Sequence, residues 1–233
     1  MKKIGFVIFA AALILGVVLA NAFSFGRVDY DLFSFKINFG GAKGSGNVVT
    51  EKRSVPEFSK IDVSSVLQVD FTAGQDFSVE VEADDNLLPL IKTESNGDTL
   101  RIFLDKKVSR HSAIRIRVSA PKIEAIEASG VSRVAAAGIT GSSLDIDTSG
   151  ASKVTVRGQV NDLKVRVSGA SKIDAEDLKA TNADVDASGA SKAIVNVSGQ
   201  LRSEASGASH ITYTGNPASV ERHSSGASKI SQR

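Results

Sequence analysis

A five-residue word, Ser-Gly-Ala-Ser-Lys, recurs through the second half of this chain and limits what it can fold into. It begins as Ser129-Gly130-Val131-Ser132-Arg133 and returns as Ser149–Lys153, Ser168–Lys172, Ser188–Lys192, Ser206–His210 and Ser225–Lys229. The copies start 20, 19, 20, 18 and 19 residues apart. A unit this short cannot bury its own apolar face, so it must be one rung of a stack.

Aligning the copies on their first serine separates inward from outward positions. Three residues earlier stand Ile126, Ile146, Val165, Val185, Ser203 and Arg222, and five residues later Val134, Val154, Ile173, Ala193, Ile211 and Ile230. Apolar residues alternate with polar ones on both sides of the word, which is the period of a strand. No 3.6-residue period accompanies it, so helical solenoids are excluded. The expected fold is all-β: a right-handed parallel β-helix with ~19-residue coils, since parallel crossovers take that hand. Gly130, Gly150, Gly169, Gly189, Gly207 and Gly226 are expected at the corners, where only glycine turns freely. Towards the last copy the inward columns become polar at Ser203, Arg222, Ser224 and Gln232, as a closing rung requires.

The residues upstream read as the opening coils and cap of the same structure, with a separate small β domain as the alternative. Leu67–Phe71, Phe77–Ala83, Leu100–Leu104 and Ile114–Val118 alternate as strands, and Asn96-Gly97 signals a hairpin. Asp84–Leu90 reads as a short helical turn, and Ser64-Ser65 as a decayed copy of the word. At the N terminus, Lys2 and Lys3 precede an apolar run from Ile4 to Leu19 and the small-x-small end Ala20-Asn21-Ala22. This describes a secretory signal peptide; the rival is an uncleaved anchor over residues 4–25. The expected division is 1–22 signal or anchor, 23–54 a glycine-rich linker, and 55–233 the β-helix, with opening coils over 55–121 and repeats over 122–233. Either N-terminal reading places the repeats outside the cytoplasm: periplasmic, on the cell surface or secreted.

Charge narrows the partners. With the two leader lysines set aside, 26 basic residues face 26 acidic ones, so charge-driven nucleic-acid binding is not expected. Membrane contact is expected only through the N-terminal segment. There is no cysteine, which removes disulfides and thiolate metal sites. The histidines, His111, His210 and His223, form no ligand motif. Asp145/Asp147 and Asp184/Asp186 are paired carboxylates, but Lys164 and Arg166 lie on the rung between them. We expect acid to face base from rung to rung down the column Asp145, Lys164, Asp184, Arg202, Glu221. No cofactor, metal or catalytic set is expected. The SGAS serines repeat without a base beside them, and G-x-S-x-G is absent.

The words themselves, with VEVEADDNLL over 79–88, NGDTLRI over 96–102 and TGNPASVERHSSGASKI over 214–230, resemble the bacterial GIN domain, a family also described as the head of an auto-transporter adhesin. The resemblance spans about Ile61 to Arg233 and implies an exported β-helical domain with no catalytic residues to carry over. No barrel-forming stretch follows the repeats in these residues, so self-transport through an outer membrane is not expected.

The expected function is therefore that of a noncatalytic envelope or surface module that binds. A carbohydrate-active enzyme on a β-helix scaffold is the alternative. The fifth letter of the word is the candidate binding feature. Arg133, Lys153, Lys172, Lys192, His210 and Lys229 should form one outward basic column, fit for an acidic polysaccharide or envelope polymer. Another envelope protein is the other candidate partner.

Overall fold

The computed structural model describes residues 40–109 and 111–233. The signal or anchor segment and the first part of the linker lie outside the described residues. Among the described residues, no helix is long and apolar enough to cross a membrane.

The repeats form a parallel β-solenoid. Each rung enters the word on one sheet and leaves it on another, which we call the upstream and downstream sheets. In the upstream sheet Ile126, Ile146, Val165 and Val185 stack in register, and in the downstream sheet Val134, Val154, Ile173, Ala193 and Ile211 do the same. All are buried. Neighbouring rungs lie ~4.8 Å apart, so each inward side chain touches the same column above and below. Small β-branched residues suit such a thin core.

Three strands, Arg133–Thr148, Lys153–Val167 and Lys172–Ala187, run through both sheets and the third side between them. Ile139, Val160 and Leu178 point inward there, and shifts in register at Ala136/Ile139, Thr155/Gly158 and Ala175/Lys179 mark bulges that bend the strands. The third side is thus sheet in these rungs. Further on it loosens, with Lys192–Val197 and Gln200–Ala205 as separate strands.

The opening coils do not follow chain order. Lys60–Val63 pairs with Ala125–Ala128 on one side and with Thr99–Leu104 on the other. Gln68–Ala73 likewise lies between Arg133–Thr148 and Arg115–Ala120. The rung over 99–120 therefore sits outside the rung over 60–73. The intervening chain closes the exposed edge with antiparallel strands, Ile91–Asn96 on Thr99–Leu104 and Ser78–Asp84 on Arg115–Ala120. Gly97 turns the hairpin at φ +62°. Bulky side chains gather at this end, among them Phe71, Ile61, Leu100, Ile102 and Ile116.

Val48–Arg53, inside the stretch assigned to a linker, is a strand antiparallel to Ser78–Asp84. Arg53 explains its placement: its guanidinium donates to the Ile91 carbonyl at 2.5 Å and the Leu88 carbonyl at 2.9 Å. It thereby ties the strand to the 3₁₀ turn Leu88–Leu90. Beyond the cap, the polar inward letters do what the sequence suggests. Arg222, Ser224 and Gln232 face solvent on the last rung, while buried Ser203 donates to the Glu221 carbonyl at 3.2 Å.

Candidate functional site

The word is hydrogen-bonded along its whole length and is part of the ladder. The third letter of each copy donates to the second letter of the rung before, as from Ala151 to Gly130, Ala170 to Gly150 and Ala190 to Gly169, each at 2.8 Å. The fifth letter donates to the fourth of the rung before, as from Lys153 to Ser132 at 2.9 Å. The six glycines have φ between +70° and +75°. Ser65 takes the same place in the opening coil at φ +79°, directly beside Gly130, so Ser64-Ser65 is the word in decayed form.

The two serines of each copy have opposite roles. The fourth letter, Ser132, Ser152, Ser171, Ser191 and Ser209, is buried. Its hydroxyl satisfies a neighbouring rung: Ser191 donates to the Val167 carbonyl at 3.2 Å and Ser209 to the Ala187 carbonyl at 3.0 Å. A small residue with a hydroxyl fits a tight corner that must also satisfy polar backbone. Alternation carried back from Val134 through the word marks Ser132 as inward, a signal our sequence reading did not use. Of the first letters, Ser168, Ser188, Ser206 and Ser225 line a groove on the upstream sheet.

That groove has a volume of about 540 Å³ and runs beside Asp147, Arg166, Asp186, Glu204 and His223, with Ser188, Ser206 and Ser225 on its corner side. Its ion pairs differ from the expected ladder. Arg166 forks between Asp145 and Asp147, at 3.1 Å to each. Arg202 pairs along its own strand with Glu204 at 2.7 Å, and His223 shares a hydrogen bond with Glu221 on its own strand at 2.9 Å. Lys164 forms no ion pair among the described residues. The register does align Asp145, Lys164, Asp184 and Arg202. Residues two apart on a strand share a face, so same-strand and diagonal partners take the carboxylates instead.

Asp186 stacks on Glu204 in the next rung. Burial, with Asp184 and Glu204 nearby, raises its carboxyl above the usual range. A raised carboxyl binds its proton more tightly in the folded state, so this charge lowers stability as pH rises through the folded value. Asp186→Asn is therefore expected to raise the melting temperature at pH 7 by about 1 °C, the effect of a few tenths of a kcal/mol at a half-exposed site. The gain should vanish at pH 3. Thermal denaturation at the two pH values checks this.

On the other side of the corner, the register places Arg133, Lys153, Lys172, Lys192, His210 and Lys229 in one column. All are exposed except half-buried Lys172, which pairs with Asp174 at 3.0 Å. Between column and groove runs the third letter, Val131, Ala151, Ala170, Ala190, Ala208 and Ala227, all exposed. Val66 and Val131 on this ridge are among the exposed large apolar residues. A second groove, of about 840 Å³, lies by the cap beside Asp70, Asp76, Glu80 and Arg117, where Arg117 is held by Glu82 at 3.0 Å. Among the described residues no three histidines, aspartates or glutamates gather as a metal site.

Comparison with known proteins places this architecture. The sequence model of the family described as "putative auto-transporter adhesin, head GIN domain" matches residues 57–217. The chain belongs to the GIN domain family. Solved structures share the fold of this GIN domain. A "putative adhesin" from Bacteroides fragilis NCTC 9343 is 24% identical, with a TM-score of 0.64 over 83% of this chain and 100% of that one. Another "putative adhesin", from Parabacteroides merdae ATCC 43184, is 16% identical, with a TM-score of 0.53 over 82% and 98%. None of the curated proteins matches the chain.

Proposed function

We infer that this GIN domain is an exported, noncatalytic module of the cell envelope or surface that works by binding, in the manner of an adhesin. One observation carries the reading: the outward groups of the word are repeated in register over six rungs. An enzyme needs one centre of unlike groups held in one geometry. A column of like groups at constant spacing instead suits a ligand that is itself extended, or a surface. The adhesin names of the related structures agree with this, and the Lys2–Ala22 pattern supplies the route of export. The partner is an envelope polymer, such as an acidic polysaccharide, or another envelope protein.

A polysaccharide-processing enzyme is the second reading. In its favour, Asp186 and Glu204 stack across adjacent rungs in a groove, with their backbones ~4.8 Å apart, and burial raises the Asp186 carboxyl. Two measurements decide. Cell fractionation with mass spectrometry of the N terminus should find the protein outside the cytoplasm, and a cytoplasmic protein beginning at Met1 defeats export. Incubation with glycans and peptidoglycan fragments should release no product, and turnover lost in Asp186→Asn would favour the enzyme.

A further inference from the structure

Cations on the two sides of the corner are treated differently by the fold. On the upstream sheet most arginines are neutralised, Arg101 by Asp62 at 3.2 Å, Arg166 by two aspartates and Arg202 by Glu204, while Lys164 and Arg222 form no ion pair among the described residues. In the downstream column only Lys172 has an acidic partner. Arg133, Lys153, Lys192, His210 and Lys229 form no ion pair among the described residues.

Stacked like charges at rung spacing repel, and the fold had a simple remedy. The position two residues on shares the same outward face, yet it holds Ala135, Thr155, Asp174, Ile194, Thr212 and Ser231, a single acid in six. On the corner side the short third-letter residues leave nothing to overhang the column. The result is a single file of basic side chains along the solenoid axis, exposed except at half-buried Lys172. Round the corner the sheet is rich in acid, with Asp145, Asp147, Asp184, Asp186 and Glu204.

We propose that this column is a track for a linear, carboxylated polysaccharide lying parallel to the solenoid axis. The proposal rests on the reading of the chain as an exported binding module and names the partner class. A polyuronate carries one carboxylate per sugar in single file, a spacing comparable to the ~4.8 Å between rungs. Lysine suits it, because an ammonium on a flexible stem adapts to small mismatches in spacing. A nucleic-acid duplex fits poorly: its second backbone would lie against the acidic upstream sheet. Each contact is weak, and affinity comes from several acting on one chain. Binding therefore falls steeply with salt.

The test uses the full chain in mild detergent, with polygalacturonate as probe and neutral dextran, polyphosphate and duplex DNA as comparisons. The variant Lys153→Gln/Lys172→Gln/Lys192→Gln removes the middle of the column. Lys106→Gln/Lys107→Gln/Lys179→Gln removes the same net charge elsewhere. Polygalacturonate should bind the natural protein best at low salt. The column variant should bind about tenfold more weakly with a shallower salt dependence, and the control variant within about twofold of the natural protein. Equal binding by the natural protein and the column variant overturns the track, as does equal loss in the control. Tighter binding of polyphosphate or DNA overturns the choice of a carboxylated polysaccharide. An exported protein that binds none of these probes also overturns the track, while the reading as a surface module stands. New reducing ends released from polygalacturonate would strike that reading instead.

Discussion

Gly169→Ala is expected to lower the melting temperature by about 10 °C, although it adds one methyl group at a surface corner. Two costs combine. Gly169 sits at φ +70°, where an L-residue with a side chain loses roughly 1–2 kcal/mol. A Cβ there would also lie 2.5 Å from the Gly150 carbonyl oxygen and 3.1 Å from the Gly150 nitrogen. Both atoms are backbone, and the oxygen accepts the ladder bond from the Ala170 N–H, so they cannot swing aside as a side chain would. Forcing the rungs apart adds roughly 1–3 kcal/mol. A total of about 3–4 kcal/mol corresponds to about 10 °C for a domain of this size. Ala170→Val is the matched control. Val131 already occupies that letter and is 51% exposed, so this change should stay within about 0.5 kcal/mol. Thermal denaturation of both variants decides. A Gly169→Ala protein that melts with the natural one would show that the corner is not held in the left-handed conformation.

The same geometry explains why the repeats were legible in the sequence and other parts were not. A word that recurs at near-constant spacing fixes register directly, because each letter stacks on its own kind: Lys153 on Lys172, Val154 on Ile173. The basic column was readable for that reason. The charge pairs were not, because a column assigns residues to a face but not side chains to partners. Arg166 can reach Asp145 diagonally as easily as Asp147 directly, and short same-strand pairs such as Arg202 with Glu204 compete. The rung order of the opening coils was hidden for a different reason. Nothing local in Thr99–Leu104 says that it will lie outside Lys60–Val63, since both alternate alike and both bury one face. Val48–Arg53 reads as polar chain because only half of one face is covered. Its place depends on Arg53 reaching carbonyls 35 and 38 residues away.

Val165→Asp should abolish the cooperative fold. Val165 is 0% exposed and stacks between Ile146 and Val185 in the middle of the solenoid. Above and below it the column is hydrocarbon, so a carboxylate there has no donor and no counter-ion. Losing the buried valine costs roughly 1.5–3 kcal/mol, and burying the unpaired polar group adds several more whether or not it takes up a proton. A loss of at least about 4 kcal/mol consumes much of the stability typical of one domain. Because each rung is held only by its neighbours, the damage should spread in both directions along the stack. Hydrogen exchange should therefore quicken in the strands Arg133–Thr148 and Lys172–Ala187 as well as in Lys153–Val167. The last rung supplies the control. Arg222 occupies the same column there and is exposed, so Arg222→Asp should leave the melting temperature within about 1 °C. Circular dichroism should show loss of strand signal for Val165→Asp, and still more for the double variant with Val167→Asp. If Val165→Asp keeps both its spectrum and its melting temperature, Val165 does not point into the core, and the inward and outward columns of the upstream sheet must be exchanged.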